Sequence, residues 1–466
     1  MGQWDALVDA ALARLEARSL LRATRPIALA APTAAPRTFD GPGPWDHAAV
    51  EIRLDRDTLH QWLAEGDEAG GQEEQLDGNL ILFSGNDYMG LSSHPAVREA
   101  AVKAAQDYGM GPRGSALICG YTTYHKLVEE SLARLKKKED CLLCPTGFSA
   151  NMAAITALGS ITSLLSPGRK PAEHERIAIF SDALNHASII DGIRLLERQQ
   201  EALVFVYKHC DMFHLDFLLY VCSSLCSPVA HWKRKLLSQI GKSPLTKRCL
   251  FSMDGDFAPF PELIKLRRKY GYLLVIDDAH GTLVCGENGG GAAELFECEK
   301  DIDIGVGTLS KAAGCQGGFI TCSTQWKRLI QSRGRSFIFS TALPVPVVAS
   351  VHAALYVSSK ETWRRSVIWR HVQYFASLTK LEITSPIISI VVGSEAGALR
   401  ASRYLLRSGF HVTPIRPPTV PPNSCRLRIT LSASHSSDDI KRLVDALTPW
   451  LPVKYGNGSY ATASKL

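Results

Sequence analysis

The sequence predicts an α/β chain: a mostly parallel sheet with helices on both faces, followed by a smaller α+β unit. Three observations predict it. Between residues 79 and 343, short apolar runs alternate with stretches of helical periodicity, the pattern of buried parallel strands joined by crossover helices. After Pro344 and Pro346 the rhythm changes to long helical stretches with a few isolated strands. The 466 residues, 45% hydrophobic and 21% charged, are enough for two or three ordinary globular domains.

Residues 1–78 read as an N-terminal extension. MGQWDALVDAALARLEARSLL is an amphipathic helix carrying both charge signs, without the apolar core of a signal peptide. It is followed by an Ala/Pro/Gly-rich stretch, a short helix near 58–65 and an acidic, glycine-containing segment. The large domain, 79–343, then runs LILFS, AVREAAVKAAQDYG, YHKLVEESLARLKKKE, DCLLCP and GFSANMAAITALGS, and later RIAIFSD, EALVFVY, ELIKLRRKYG, YLLVIDD, DIGVGT and GGFITCS. Lys136, Lys137 and Lys138 read as a solvated helix end. One strand is weak: before FSMDGD only residues 249–251 look strand-like, so either a nearby apolar piece takes the place of this central strand or 221–247 is an insertion. The small domain, 344–455, opens with a helical stretch over 347–374. It continues with ITSPIISIVVG, EAGALRASRYLLRSGF, CRLRITLSAS and SDDIKRLVDALTPWL. Residues 456–466 form a polar tail.

Several functional classes are excluded. The net charge of +6 is too diffuse for a nucleic-acid surface, and no apolar run reaches the roughly 18 residues of a membrane helix. Twelve cysteines without a secretory signal imply reduced thiols. Cys141 and Cys144 lie three apart on an expected strand, so they face opposite sides and cannot share a metal ion. Residues 109–114 spell GxGxxG, but a helix pattern and not a strand precedes them, so this is not a dinucleotide fingerprint. The chain ends in Ser464-Lys465-Leu466, a peroxisomal address, which implies an import receptor as partner and the peroxisome as location.

In a parallel sheet, ligands bind beyond the carboxyl ends of the strands. Four expected strand ends deliver chemistry there: Asp277 with His280, Lys311, His186, and Thr146-Gly147-Phe148 opening a helix. A helix N-terminus binds phosphate. A lysine in a pocket of small residues forms a Schiff base with an aldehyde. A buried carboxylate keeps a pyridine nitrogen protonated, and a histidine can stack on the ring. Together these are the needs of pyridoxal 5'-phosphate (PLP). No metal is implied.

The runs SGNDYMGL (84–91), CPTGFSAN (144–151), SDALNHASIIDGIR (181–194), FSMDGDFAP (251–259), VIDDAHGT (275–282), GTLSKAAG (307–314), SRGRSFIFSTALP (332–344) and SCRLRITLSASH (424–435) occur in the order seen in one family. The chain resembles the α-oxoamine synthases, PLP enzymes of fold type I that condense an amino acid with an acyl-CoA and lose CO2. ENGGGAAELF and the SKL ending suit the members that use L-alanine and pimeloyl-CoA. The resemblance implies roles for residues of this chain. Lys311 holds the cofactor and then takes the Cα proton of the amino acid. Asp277 pairs with the pyridine nitrogen, His280 hydrogen-bonds the ring hydroxyl, and His186 stacks on the ring. Thr146, Gly147, Phe148 and Thr308 bind the phosphate, and Ser252 lies near the ring. Ser340 and Thr341 reach the phosphate of a second subunit, which implies a homodimer with shared sites. Asn86 lies near the reacting groups and Arg428 grips a substrate carboxylate. Members using glycine or serine with another acyl-CoA, and a non-catalytic subunit on the same fold, remain the alternative readings.

Overall fold

A computed structural model describes residues 28–29, 41–64, 78–111, 114–165, 169–225, 244–248, 250–251 and 254–451. The first strands, β1 (Ala28–Leu29), β2 (Glu51–Arg53) and β3 (Asn79–Leu82), belong to a small four-stranded sheet. The central sheet has seven strands: β4 (Asp140–Cys144), β5 (Ile177–Asp182), β6 (Ala202–Tyr207), β7 (Pro244–Arg248), β8 (Leu273–Asp277), β9 (Ile304–Thr308) and β10 (Gly318–Cys322). Their order is β4-β10-β9-β8-β7-β5-β6. β6, β5, β7, β8 and β9 pair in parallel, and β10 alone runs against both of its neighbours. The α/β expectation and its mostly parallel sheet therefore hold.

The sheet is buried on both faces, as continuous apolar strands require. Leu274, Ile276, Val306, Phe319 and Ile320 are all buried. The Gly147–Leu165 helix lies on one face through Ala150, Ala153, Ala154 and Ala157, small side chains that bring its backbone close to β9 and β10. DCLLC forms a buried strand, as expected, and burial pushes the Cys141 and Cys144 thiols up, so neither is a ready thiolate ligand.

The C-terminal unit adds β11 (Ile387–Gly393), β12 (Phe410–His411), β13 (Thr413–Ile415) and β14 (Cys425–Thr430). β11, β14 and β13 form an antiparallel sheet covered by Glu395–Arg407 and Ser437–Leu447.

Four details differ from the sequence reading. β12 pairs in parallel with β3, and Ile52, Leu54, Leu59 and Leu80 pack against Leu406. Residues 51–59 and 79–82 thus pack with the C-terminal unit, and a boundary at 78/79 cuts through one sheet; cross-sheet pairing is invisible in a linear pattern. The 347–374 helix is two helices, Val345–Lys360 and Trp363–Thr379, broken where the Glu361 carboxylate accepts hydrogen bonds from Arg364 (2.6 Å) and from the buried His94 (3.2 Å). The central slot is filled by β7, in register with Leu273–Asp277 of β8, whereas Leu250 bridges Phe257 and Cys249 lies outside the described residues. Proline is tolerated at the first position of β7. The stretch 221–247 therefore holds the end of the Met212–Leu225 helix and most of a sheet strand, while residues 226–243 lie outside the described set. Finally, the lysine run is not a solvated end. Lys136, with only 9% of its side chain exposed, is bound to the buried Asp278, and Lys138 donates to the carbonyls of Glu299 and Ile302. Only Lys137 remains exposed.

Among the described residues no helix is long and apolar enough to cross a membrane.

Candidate active site

β4, β5, β8 and β9 point the same way, so their carboxyl ends share one edge of the sheet. After β4, Thr146 caps the Gly147–Leu165 helix: its Oγ1 accepts from the Ser149 N–H at 3.0 Å, and Ser149 Oγ donates to its carbonyl at 2.8 Å. The first turn of a helix leaves N–H groups without intrahelical partners, which suits an anion. A Cβ on Gly147 would stand 3.1 Å from Thr308 Cβ, so glycine lets this turn approach the end of β9. There Thr308 Oγ1 donates to the Gly317 carbonyl at 3.0 Å and lies 2.8 Å from Ser310 Oγ.

Lys311 follows β9 and meets the loop after β8. Its Nζ lies 2.8 Å from His280 Nε2, and His280 Nδ1 lies 2.8 Å from Tyr88 Oη. Tyr88 Oη is 3.4 Å from Asn86 Oδ1, which also accepts from Arg428 at 3.1 Å. Donor bookkeeping gives one consistent assignment: Lys311 donates to Nε2, Nδ1–H donates to Tyr88, and Tyr88 donates to Asn86. The chain SGNDYMGL thereby connects the lysine to the arginine. His280, expected to serve a ring hydroxyl, bonds directly to Lys311 and Tyr88 here.

Asp277 ends β8 and is 5% exposed. Its carboxylate accepts from Asn151 Nδ2 at 2.9 Å and from the Ala279 N–H at 3.0 Å, and among the described residues no cation pairs with it. Asn151 also donates to Ser188 Oγ at 3.0 Å, and Ser188 Oγ is 2.7 Å from His186 Nδ1. One asparagine thus links the buried acid to His186, whose ring stands edge-on to Phe148, centroids 6.4 Å apart.

The structure therefore gathers Asn86, Thr146, Gly147, Phe148, His186, Asp277, His280, Thr308, Lys311 and Arg428 along one connected edge. Ser252 lies outside the described residues. Ser340 and Thr341 stand apart, lining a separate cavity with Tyr121, His125 and Pro145; Ser340 Oγ donates to the Ser336 carbonyl at 2.6 Å. Tyr88 and Asn151 were missed by the sequence reading, although both lie inside quoted motifs. Their polar atoms on otherwise apolar runs were the available signal.

Residues 78–447 match the family model for aminotransferase class I and II. An 8-amino-7-oxononanoate synthase from Arabidopsis thaliana is 57% identical over 472 residues, covering 96% of this chain and 95% of that protein. The chain belongs to the 8-amino-7-oxononanoate synthase family. It is a transferase of the α-oxoamine synthase type on a fold-type I scaffold. The 8-amino-7-oxononanoate synthase of Francisella tularensis superposes with a TM-score of 0.63 at 25% identity, over 79% of this chain and 97% of that one. A Sphingomonas wittichii serine palmitoyltransferase superposes at 0.68 with 27% identity, over 80% and 87%.

PLP is the cofactor this family implies, and the residues present fit it. Asp277 is a buried carboxylate with no cation of its own among the described residues, as a protonated pyridine nitrogen requires. The Gly147 turn is a cradle that a Cβ would narrow.

Proposed function

We propose that this chain condenses L-alanine with pimeloyl-CoA, releasing CoA and CO2 and forming 8-amino-7-oxononanoate for biotin biosynthesis. Three alanine carbons, less one lost as CO2, plus seven pimeloyl carbons give the nine of the product. The observation that carries the reading is the Lys311–His280 contact at 2.8 Å together with the buried Asp277 carboxylate, which meets no cation among the described residues. Bound PLP supplies an electron sink for the carbanion at the amino acid Cα. The rest is the work of the chain. The first turn after Thr146, with Thr308, holds the phosphate; Asp277 fixes the ring nitrogen as a cation. His186 covers one ring face. Lys311 anchors the cofactor and moves the Cα proton, with His280 holding its Nζ in place. Arg428, 6% exposed, fixes the substrate carboxylate beside Asn86.

The test is spectroscopic and chemical. Purified protein with PLP should develop a visible band that Lys311→Ala abolishes. Among alanine, glycine and serine, only alanine should support CoA release from pimeloyl-CoA. CoA release with glycine or serine instead would place the chain among the family's other condensing enzymes, and no release with any would sink the reading.

The reading includes a homodimer. Ile118 (83% exposed), Phe339 (72%) and Met110 (69%) leave apolar surface near Ser340 and Thr341, and Ser115 bridges Thr341. That surface supports a second copy bringing its Ser340 and Thr341 to the phosphate; sedimentation at micromolar concentration, where a monomer would contradict it, checks this. It also includes peroxisomal import through the terminal SKL, which lies outside the described residues. A fluorescent fusion at the N-terminus should be punctate and become diffuse on deletion of 464–466; a diffuse full-length fusion would oppose it.

A further inference from the structure

Outside the residues assigned above, one charged cluster stands beside the site. His209, just after β6, points Nδ1 at Asp182 Oδ1 (2.9 Å) and Nε2 at Asp256 Oδ2 (3.0 Å). Asp182 is the last residue of β5 and is 1% exposed. Its Oδ1 also accepts from the Leu184 N–H at 2.9 Å, and its Oδ2 from the Cys210 N–H at 3.1 Å. This holds the turn that leads to His186. Asp256 belongs to the loop after β7, where the Phe251 N–H donates to the Asp256 carbonyl at 2.9 Å. The Phe251 ring stands edge-on to His209, centroids 4.4 Å apart. One imidazole therefore joins two loops that reach the ligand edge from neighbouring strands.

Among the described residues, Asp182, His209 and Cys210 are the group whose spacing would suit a metal ion. The hydrogen bonds argue otherwise. With both ring nitrogens facing carboxylates, the ring is a double donor and offers no lone pair, whereas a ligating histidine must be neutral. Bonds to Asp182 and Asp256 outweigh the cost of burial and raise the ring's pKa to about 12. His209 is thus a cation throughout the physiological range.

We propose that His209 is a positioning residue for the condensation: as an imidazolium it latches the loop after β5 to the loop after β7, and so sets where His186 stands over the ring. The connection onward is on the page. From the Asp182 turn the chain passes to His186, whose Nδ1 meets Ser188 Oγ at 2.7 Å, and through Asn151 to Asp277. A shift of the turn is therefore felt at both groups that face the ring. Asp182 is 1% exposed, so loss of the ring that donates to its carboxylate should move the turn and not leave it in place. This inference rests on the PLP reading above.

The experiment compares wild-type holoenzyme with His209→Gln, Asp256→Asn and the double variant. Asp256 is 42% exposed at its side chain, so Asp256→Asn keeps the test open if His209→Gln fails to fold. The readouts are visible circular dichroism of the bound cofactor, which reports its orientation, and kcat at saturating substrate, beside the urea midpoint. Each single variant should retain the Lys311-dependent band, lose at least half of the dichroism and lose about 10- to 100-fold in kcat, the scale of a small misplacement. The double variant should be no worse than His209→Gln, because one latch is broken either way. Wild-type dichroism and kcat in a folded single variant, or additive losses in the double, would overturn the latch while the PLP reading stands. A wild-type protein with no Lys311-dependent band would overturn both.

Discussion

Replacing Lys136 by methionine removes a buried charge at nearly constant volume and asks whether the lysine run is structural. Lys136 Nζ donates to Asp278 Oδ2 at 2.7 Å, to Thr282 Oγ1 at 2.8 Å and to the Gly290 carbonyl at 2.9 Å. The side chains of the pair are 9% and 3% exposed. Breaking one partner of a buried pair costs about 3–5 kcal/mol, chiefly because the other charge is stranded. Among the described residues the Asp278 carboxylate keeps only a long 3.3 Å bond from the Ala292 N–H at its other oxygen, so little compensates. Set against the roughly 5–15 kcal/mol stability of ordinary domains, that is a large loss. Urea unfolding of cofactor-free protein at pH 7 should show it as a lower midpoint with unchanged slope. The pH dependence gives a second check. Burial raises the Asp278 pKa above its ordinary value even with Lys136 opposing it. A raised carboxyl is costly as an anion at neutral pH and is relieved as pH falls through its folded pKa. Without Lys136 that pKa rises further, so the deficit of the variant should shrink on acidification. A loss under about 1 kcal/mol, typical of an exposed lysine, would refute the reasoning.

Two further outcomes follow from the same geometry. Tyr88→Phe removes the Oη that meets His280 Nδ1 at 2.8 Å, so kcat should fall about 2- to 10-fold with the fold intact; unchanged kcat would remove Tyr88 from the chain to Lys311. His47 bonds Asp439 and Glu51, which raise its pKa from 6.5 to about 9. The stability this pair contributes is complete below pH 6.5 and is lost as pH rises towards 9, so His47→Gln should flatten the urea midpoint across that window, and an unaltered slope would count against the pair.

Much of this protein was legible in the chain itself. The strand–helix alternation followed from burial on both sheet faces, which needs unbroken apolar runs. The ends of those runs located Thr146, His186, Asp277 and Lys311, because a parallel sheet places successive carboxyl ends on one side. What the linear pattern could not carry was pairing at a distance. β7 is held in the sheet by backbone register to β5 and β8, so an unremarkable PLTKR occupies a central slot. The Lys136 ammonium looks solvated until Asp278 and Gly290 are brought to it. Tyr88, Asn151 and His209 act through partners 192, 126 and 47 residues away, and only folding supplies those partners. Local periodicity thus determined the class of sheet and which edge would react. Three-dimensional packing alone decided which polar groups meet, since a buried hydrogen bond depends on distance in space and leaves no period in the sequence.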